Sequence, residues 1–217
     1  MTRLRRVAQA TFVAALLATP LALAGCISGQ GPITVETRET RPFTRVEVGA
    51  GIRLAIAIGP AGPLEVSAQQ NILPAIATDV SGDTLRVGAN EDFTTTEPVT
   101  VTMSAPSITG ISMSGGASAT IVGLTAETLD LSIKGGARLT IAGSAEAVTL
   151  TADGGSSVDL GGLSAGAVTV AINGGATAIV RASDDVRGSA AGGARLTVRG
   201  NPAIGVESSG GANVVRE

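Results

Sequence analysis

The sequence contains almost no aromatic residues and no histidine: three Phe, no Trp, no Tyr and a single Cys occur in 217 residues. Without His, neither a Ser-His nor a Cys-His nucleophile pair can form, and no His general base is available. One Cys without His cannot build a zinc site or an internal disulfide. Recognition by stacking on aromatic rings has almost no residues to use. We therefore expect no metal, no cofactor and no catalytic residue.

The charge balance gives no sign of a nucleic-acid-binding protein. The formal net charge is −3 and charged residues make up 15% of the chain, so there is no basic footprint. Hydrophobic residues make up 44%, and Gly occurs 30 times. Because rings are missing, Ala, Val, Leu and Ile must fill the core. Such side chains suit a thin, regular core, and the length allows one domain or two.

The first 25 residues have the layout of a secretory signal peptide. Three arginines among the first six residues precede an apolar stretch that runs from Val7 to Ala24. The stretch ends in Leu23-Ala24-Gly25-Cys26, which resembles the bacterial lipobox. That resemblance implies cleavage before Cys26 and attachment of lipid to it. An ordinary signal peptide, with Cys26 as a stray thiol, is the alternative.

The residues that follow Cys26 predict where the protein resides. Ile27 stands there instead of Asp, which by analogy with Gram-negative lipoproteins favours the outer membrane, on its periplasmic or surface side. Several acyl chains would anchor the protein stably to the membrane, whereas a single chain binds only marginally. Residues 26–41 are small and polar, so we expect a flexible tether there. Residues 42–217 then form one domain.

A repeat of 18–20 residues occupies the C-terminal half of the chain. Its mark is a glycine pair followed by a small residue, and chance enrichment in glycine would not keep the spacing so even. The six pairs are Gly115-Gly116, Gly135-Gly136, Gly154-Gly155, Gly174-Gly175, Gly192-Gly193 and Gly210-Gly211.

The residues on both sides of each glycine pair alternate between apolar and polar. Ala137, Leu139 and Ile141 are separated by polar residues, and this period of two predicts a strand with one buried face. A unit of two short strands cannot bury its face alone, so the units must stack. We therefore predict an all-β parallel solenoid with one repeat per turn, or rung, and glycine at the sharp corners. Turns are expected at Gly143-Ser144 and Gly161-Gly162.

Both ends of the predicted solenoid differ from its middle. Residues 42–104 are β-rich but irregular, and we expect N-terminal rungs there, with a turn at Ser81-Gly82-Asp83. The stretch Asn71–Ile76 fits a short helical turn or a lid over the N-terminal end. At the C-terminus, Arg216 stands at the core position that Ile141 fills in its own repeat. That residue predicts a polar end that blocks further stacking.

Several segments between about residues 42 and 215 resemble those of a known family. They are Phe43–Val48, Gly51-Ile52-Arg53-Leu54, Ala68-Gln69-Gln70-Asn71, Thr84-Leu85-Arg86-Val87 and the recurring Ser-Gly-Gly-Ala blocks. With them the sequence is similar to the putative auto-transporter adhesin head GIN domain, a domain of unknown function found in bacterial envelope lipoproteins. The resemblance implies a right-handed β-helical fold and an exported location.

Equivalent positions in successive rungs are neighbours, so a binding site would show as a column of reactive residues. The column before the glycine pairs contains Lys134, Asp153 and Asn173, which form a weak candidate site for a sugar or an ion. The alternative is that short polar side chains satisfy the backbone at the corner. Asp130 has no acidic neighbour in its own column, which gives no support to a glycosidase with paired carboxylates.

Together these patterns favour a non-enzymatic, lipid-anchored envelope protein that acts as an adhesin or scaffold through a Ser/Thr-rich face. Its partners would be a glycan, a surface protein or a second copy of the chain, and not nucleic acid. Two other functions remain open. The domain could be a carbohydrate-binding or polysaccharide-processing module, or a periplasmic partner of an envelope signalling system.

Overall fold

Parallel strands stacked along one axis build the molecule. The computed structural model describes residues 26–217, so the predicted signal peptide lies outside the described residues. The described part contains no α-helix and forms a β-solenoid of about 5 turns, as the repeat predicts. Four long strands wind around its regular part: β11 (Ser118–Ile133), β12 (Arg138–Ala152), β13 (Ser157–Ile172) and β14 (Thr177–Ala190).

Each long strand bends around the core while it remains paired with its neighbours. In β11, the buried Ile121 is followed by the buried Leu124, so the period of two is interrupted. The parallel pairing with β12 has its irregularity between these two residues. The prediction of turns at Gly143-Ser144 and Gly161-Gly162 is therefore wrong, because both pairs lie inside continuous strands. The chain changes direction there by a bulge, which keeps the ladder of backbone hydrogen bonds largely intact.

Two further rungs extend the solenoid beyond the N-terminal end of the regular repeats. The outer rung is formed by strands that come later in the chain than those of the inner rung. The strands β3 (Arg45–Val48) and β4 (Arg53–Ile58) form one rung, which pairs with β10 (Gly110–Met113) and the start of β11. The strands β7 (Thr84–Ala89) and β9 (Thr100–Ala105) form the rung beyond it. All these pairs are parallel, so the irregular region predicted at residues 42–104 continues the solenoid.

Antiparallel strands close the N-terminal end of the solenoid. The strand β6 (Ile76–Ser81) pairs with β7 through a hairpin in which Gly82 has a φ of 63°. On the other side, β5 (Leu64–Gln69) pairs with β9, and β2 (Ile33–Arg38) pairs with β5. A single 3₁₀ turn at Leu73–Ala75 packs its buried residues beneath this cap, as expected for a helical turn.

Half of the segment predicted as a flexible tether lies in strands, since residues 27–28 and 33–38 pair with other strands. Beyond β2, the strand β1 (Ile27–Ser28) pairs in parallel with β8 (Phe93–Thr94). The side chain of Asn71 holds the intervening chain, since its Nδ2 donates to the carbonyl of Ser28 and its Oδ1 accepts from the amide of Gln30, each at 2.7 Å. Small polar residues suggested a coil, but backbone pairing with the cap orders them.

The C-terminal rung is shorter and more exposed than the others. The strands β15 (Arg195–Arg199) and β16 (Ala203–Ser208) pair with β14, and β17 (Asn213–Arg216) pairs with β15 one step further along the axis. Arg216 pairs in register with the buried Val198, at the position where a core side chain would stand. Its guanidinium instead donates to Asn201 Oδ1 at 3.1 Å and to the carbonyl of Pro202 at 2.6 Å. The last rung thus ends on a polar group, as the sequence predicts.

Small aliphatic residues fill the core in columns that run along the axis. Phe43 and Phe93 pack half-buried against its N-terminal part, and no other aromatic residue lies among residues 26–217. One column contains a hydroxyl, because Ser156 is 1% exposed and its Oγ has no hydrogen-bond partner. Its neighbours in the regular repeats are alanines: Ala117, Ala137, Ala176 and Ala194.

Candidate functional site

The glycine corners form a continuous stack along the solenoid. The amide of Gly155 donates to the carbonyl of Gly135 at 3.0 Å, and Gly175 donates to Gly154 at 2.8 Å. The first glycine of each pair has a φ between 60° and 73°, in the left-handed region that disfavours a Cβ. The second glycine has a positive φ only in the first and last pairs, at Gly116 and Gly211. At Gly136 a Cβ would have no atom within 4 Å. The corner geometry therefore accounts for the first glycine of each pair.

A seventh corner belongs to the same stack, and the search for glycine pairs missed it. The amide of Gly51 donates to the carbonyl of Gly115 at 3.1 Å, which places Ala50 next to Gly115. Ala50 has a φ of 56° and is the one non-glycine residue with positive φ in the described part of the chain. The available signal was the segment Gly49-Ala50-Gly51 between two alternating strands, where alanine stands in place of the first glycine.

The candidate ligand column lies beside this stack on neighbouring rungs. The Nδ2 of Asn173 donates to Asp153 Oδ1 at 2.9 Å, so these two side chains satisfy each other. Lys134 is exposed, and the described residues show no ion pair between it and Asp153. The column thus brings two of its three members together, and binding of a ligand by it stays a prediction.

A second column of outward side chains runs along a flat face of the solenoid. Strand pairing aligns its members in successive rungs, and each lies between buried neighbours of its own strand. We call this surface the arginine face. Its members are, in order along the axis, Arg53, Ser118, Arg138, Ser157, Thr177 and Arg195.

The arginines of this face have no carboxylate partner. Arg53, Arg138 and Arg195 are exposed, and within residues 26–217 they form no ion pair. On another face of the solenoid, ion pairs join Arg86 to Glu47 at 3.2 Å and Arg187 to Asp185 at 3.5 Å. The column therefore carries three unpaired positive charges on a protein whose net charge is negative.

Two acidic groups lie beside the arginine face: Glu97, which lines the same surface cavity as Arg53, and Asp159. Asp159 Oδ1 accepts a hydrogen bond from the amide of Gly161 at 2.8 Å. Arg199 lies close by and bonds Glu217 at 2.8 Å. This hydrogen bond is the main cause that raises the pKa of Arg199, and the charge of Asp159 adds to it. Asp159 therefore does not pair with the arginines of the face.

The cap contains a cavity of about 250 Å³, lined by Phe43, Arg41 and prolines such as Pro63. The guanidinium of Arg41 already has a partner there, because it donates a hydrogen bond to the carbonyl of Val80.

No cluster of three or more His, Cys, Asp or Glu that could hold a metal occurs in the part of the chain the structure describes. Over the same residues, no helix is long and apolar enough to cross a membrane. Cys26 is a free, exposed thiol at the start of the described chain.

Rungs that stack on a shared glycine corner in parallel place the protein among the solenoid repeat proteins. Within that class, residues 42–202 match the model of the family described as putative auto-transporter adhesin, head GIN domain. The chain belongs to this family, as its resemblance predicts. No curated protein matches the sequence.

Solved structures with the same fold include two putative adhesins and a putative lipid binding protein. A putative adhesin from Bacteroides fragilis NCTC 9343 matches with a TM-score of 0.71 and 18% identity, over 88% of this chain and 99% of its own. A putative adhesin from Parabacteroides distasonis ATCC 8503 matches with a TM-score of 0.56 and 16% identity, over 89% of this chain and 100% of its own. A putative lipid binding protein from the same strain has a TM-score of 0.54 and 11% identity, with coverage of 89% and 100%. At these identities the likeness concerns the fold alone.

Proposed function

We propose that the protein is a non-enzymatic adhesin or scaffold that Cys26 anchors by lipid to the outer membrane. The observation that carries the proposal is the long, flat face that runs along the solenoid with hydroxyl and guanidinium groups exposed in register. A repeat solenoid offers an extended surface of this kind to a partner, and the family to which the chain belongs is described as adhesin-like.

The anchor is tested by detergent partitioning of cells that express the full chain or its Cys26→Ser variant. We expect the wild-type protein in the detergent phase and the variant in the aqueous phase, because only a lipidated cysteine supplies the acyl chains. Partitioning of both proteins into detergent would contradict lipidation at Cys26. A Ser28→Ala variant, two residues away, serves as a control that keeps the thiol.

The adhesin role is tested by deleting the gene and measuring attachment of cells to surfaces and to each other. We expect attachment to fall and to return when the wild-type chain is supplied. Incubation of the purified protein with a panel of polysaccharides then addresses the processing alternative. Release of oligosaccharide would replace the adhesin role with an enzymatic one, whereas intact polymers throughout the panel support a surface-binding role.

A further inference from the structure

We propose that the arginine face binds a linear polysaccharide that carries carboxylates, laid lengthwise along the solenoid axis. The inference rests on the proposed adhesin role and names the chemical class of its partner. It assigns the contact to one face of the solenoid and to three arginines of one column, Arg53, Arg138 and Arg195.

The spacing of these arginines is set by strand pairing. Arg53 and Arg138 both pair with Ser118, so they lie two rungs apart. Ser157 and Thr177 separate Arg138 from Arg195, which lies three rungs further on. With strands about 4.8 Å apart, the gaps are about 10 Å and 14 Å, and the column spans about 24 Å. That length suits several consecutive sugars of an extended chain and exceeds what a single small anion could bridge.

The charge of the face requires an anionic partner. The three guanidinium groups are exposed and without carboxylate partners among the described residues, while Arg86 and Arg187 are neutralised on another face. A guanidinium offers parallel N–H donors in a plane, which match the two oxygens of a carboxylate. A polymer with carboxylates would therefore supply the counter-charges that this column lacks.

The side chains between the arginines suit a sugar polymer. Ser118 and Ser157 are half-buried and Thr177 is exposed, so each presents a hydroxyl that can donate or accept a hydrogen bond. The face has no aromatic anchor of the kind that dominates protein–protein interfaces, and none on which nucleic-acid bases could stack. Short hydroxyls alternating with guanidinium groups fit the hydroxyls and carboxylates of an acidic polysaccharide.

The experiment measures binding of the full chain, purified in detergent, to polygalacturonate, with the neutral glucan pullulan as a second probe. The test variant is Arg138→Ala with Arg195→Ala. The matched control is Arg86→Ala with Arg187→Ala, since both of these arginines are 65% exposed and their loss changes the net charge equally. Thermal unfolding of each protein verifies that it is folded.

We expect polygalacturonate to bind the wild type and the control, and pullulan to bind neither. The test variant should lose about tenfold in affinity, since two exposed ion contacts together are worth roughly that factor. Binding of the wild type should also weaken as salt increases from 50 to 200 mM, because the contacts are exposed charges. Equal losses in test variant and control, or equal binding of pullulan, would overturn the inference.

Two further outcomes separate this inference from the proposed function. If cells depend on the protein for attachment but the purified chain does not bind polygalacturonate, the inference fails and the adhesin role stands. If polygalacturonate binds through the arginines but deletion leaves attachment unchanged, the adhesin role fails and the assigned ligand class stands. Binding of phosphatidylglycerol vesicles by the arginine face without binding of polygalacturonate would also overturn the inference, in favour of a lipid surface.

Discussion

Arg45 Nη1 lies 3.3 Å from Asp130 Oδ2, although one whole strand separates the two residues. Gly110 stands between them in register, paired with Arg45 on one side and with Asp130 on the other. The guanidinium lies across the glycine, where a Cβ would come within 2.6 Å of Arg45 Cζ. The absence of a side chain at Gly110 thus permits an ion pair that joins the rung of β3 and β4 to the regular repeats.

We expect Gly110→Ala to break this ion pair with little cost to the fold. Gly110 has no positive φ, and only the end of a flexible side chain must move. Both charged groups are partly exposed, so the loss should be about 0.5 kcal/mol. In a double-mutant cycle followed by urea unfolding, Asp130→Asn should then cost less in the Gly110→Ala background than in the wild type. Full additivity would show that the pair contributes nothing.

The corner stack predicts unequal effects for the two glycines of one pair. Gly135 has a φ of 68°, so Gly135→Ala should lower the free energy of unfolding by about 1–2 kcal/mol. Gly136→Ala is the matched control, because a Cβ there has open space and no positive φ, and we expect a change within about 0.5 kcal/mol. Chemical unfolding measures both, and equal effects would contradict the corner geometry.

Removing the hydroxyl of Ser156 should stabilise the protein. The side chain is 1% exposed, its Oγ lacks a partner, and alanines occupy the adjacent positions of the column. An unsatisfied buried hydroxyl costs roughly 1 kcal/mol, so Ser156→Ala should raise the unfolding free energy by about that amount. Ala137→Ser should do the reverse on the neighbouring rung. A loss of stability in Ser156→Ala would mean that the hydroxyl is satisfied in solution.

The ordered N-terminal segment should be released by a single substitution. Asn71 makes two hydrogen bonds to the backbone of residues 28–30. We therefore expect Asn71→Ala to speed hydrogen exchange at the amides of Ile27 and Gly29, which bond the chain near Phe93. Asn201→Ala, at the opposite end of the solenoid, is the control. Unchanged exchange at both amides would show that β1 pairing alone holds the segment.

The sequence allowed the repeat fold to be predicted because its signal is local and recurs. Alternation around Gly135 and Gly154 defines strands and corners without knowledge of distant contacts. The position of the rung around Ala50 could not be obtained in this way, since about sixty-five residues separate it from its neighbour at Gly115. Antiparallel pairing of β2 could not be predicted for the same reason, because its partner lies at residues 64–69.

The candidate site, like the fold, could be predicted from the sequence only in part. The register of Lys134, Asp153 and Asn173 followed from the repeat, but only the structure shows that Asn173 bonds Asp153. Arg138 and Arg195 could be aligned from the repeat period. Arg53 could not, because it lies outside the glycine-pair repeat and joins the column only through its pairing with Ser118. On another face, the ion pair between Arg86 and Glu47 also depends on pairing between rungs, whereas Arg187 and Asp185 lie two residues apart on one strand.

The residues directly after Cys26 would determine how far the domain stands from a membrane if that cysteine carried a lipid. A lipid on Cys26 would leave no slack between bilayer and solenoid, because β1 and Asn71 bind the chain to the cap immediately after that residue. Ten strands stack from β2 to β17 along the side of the arginine face, which at about 4.8 Å per step gives roughly 43 Å. With a lipid on Cys26, the domain would reach only partners within about that distance of the membrane, and the number of repeats would set this distance.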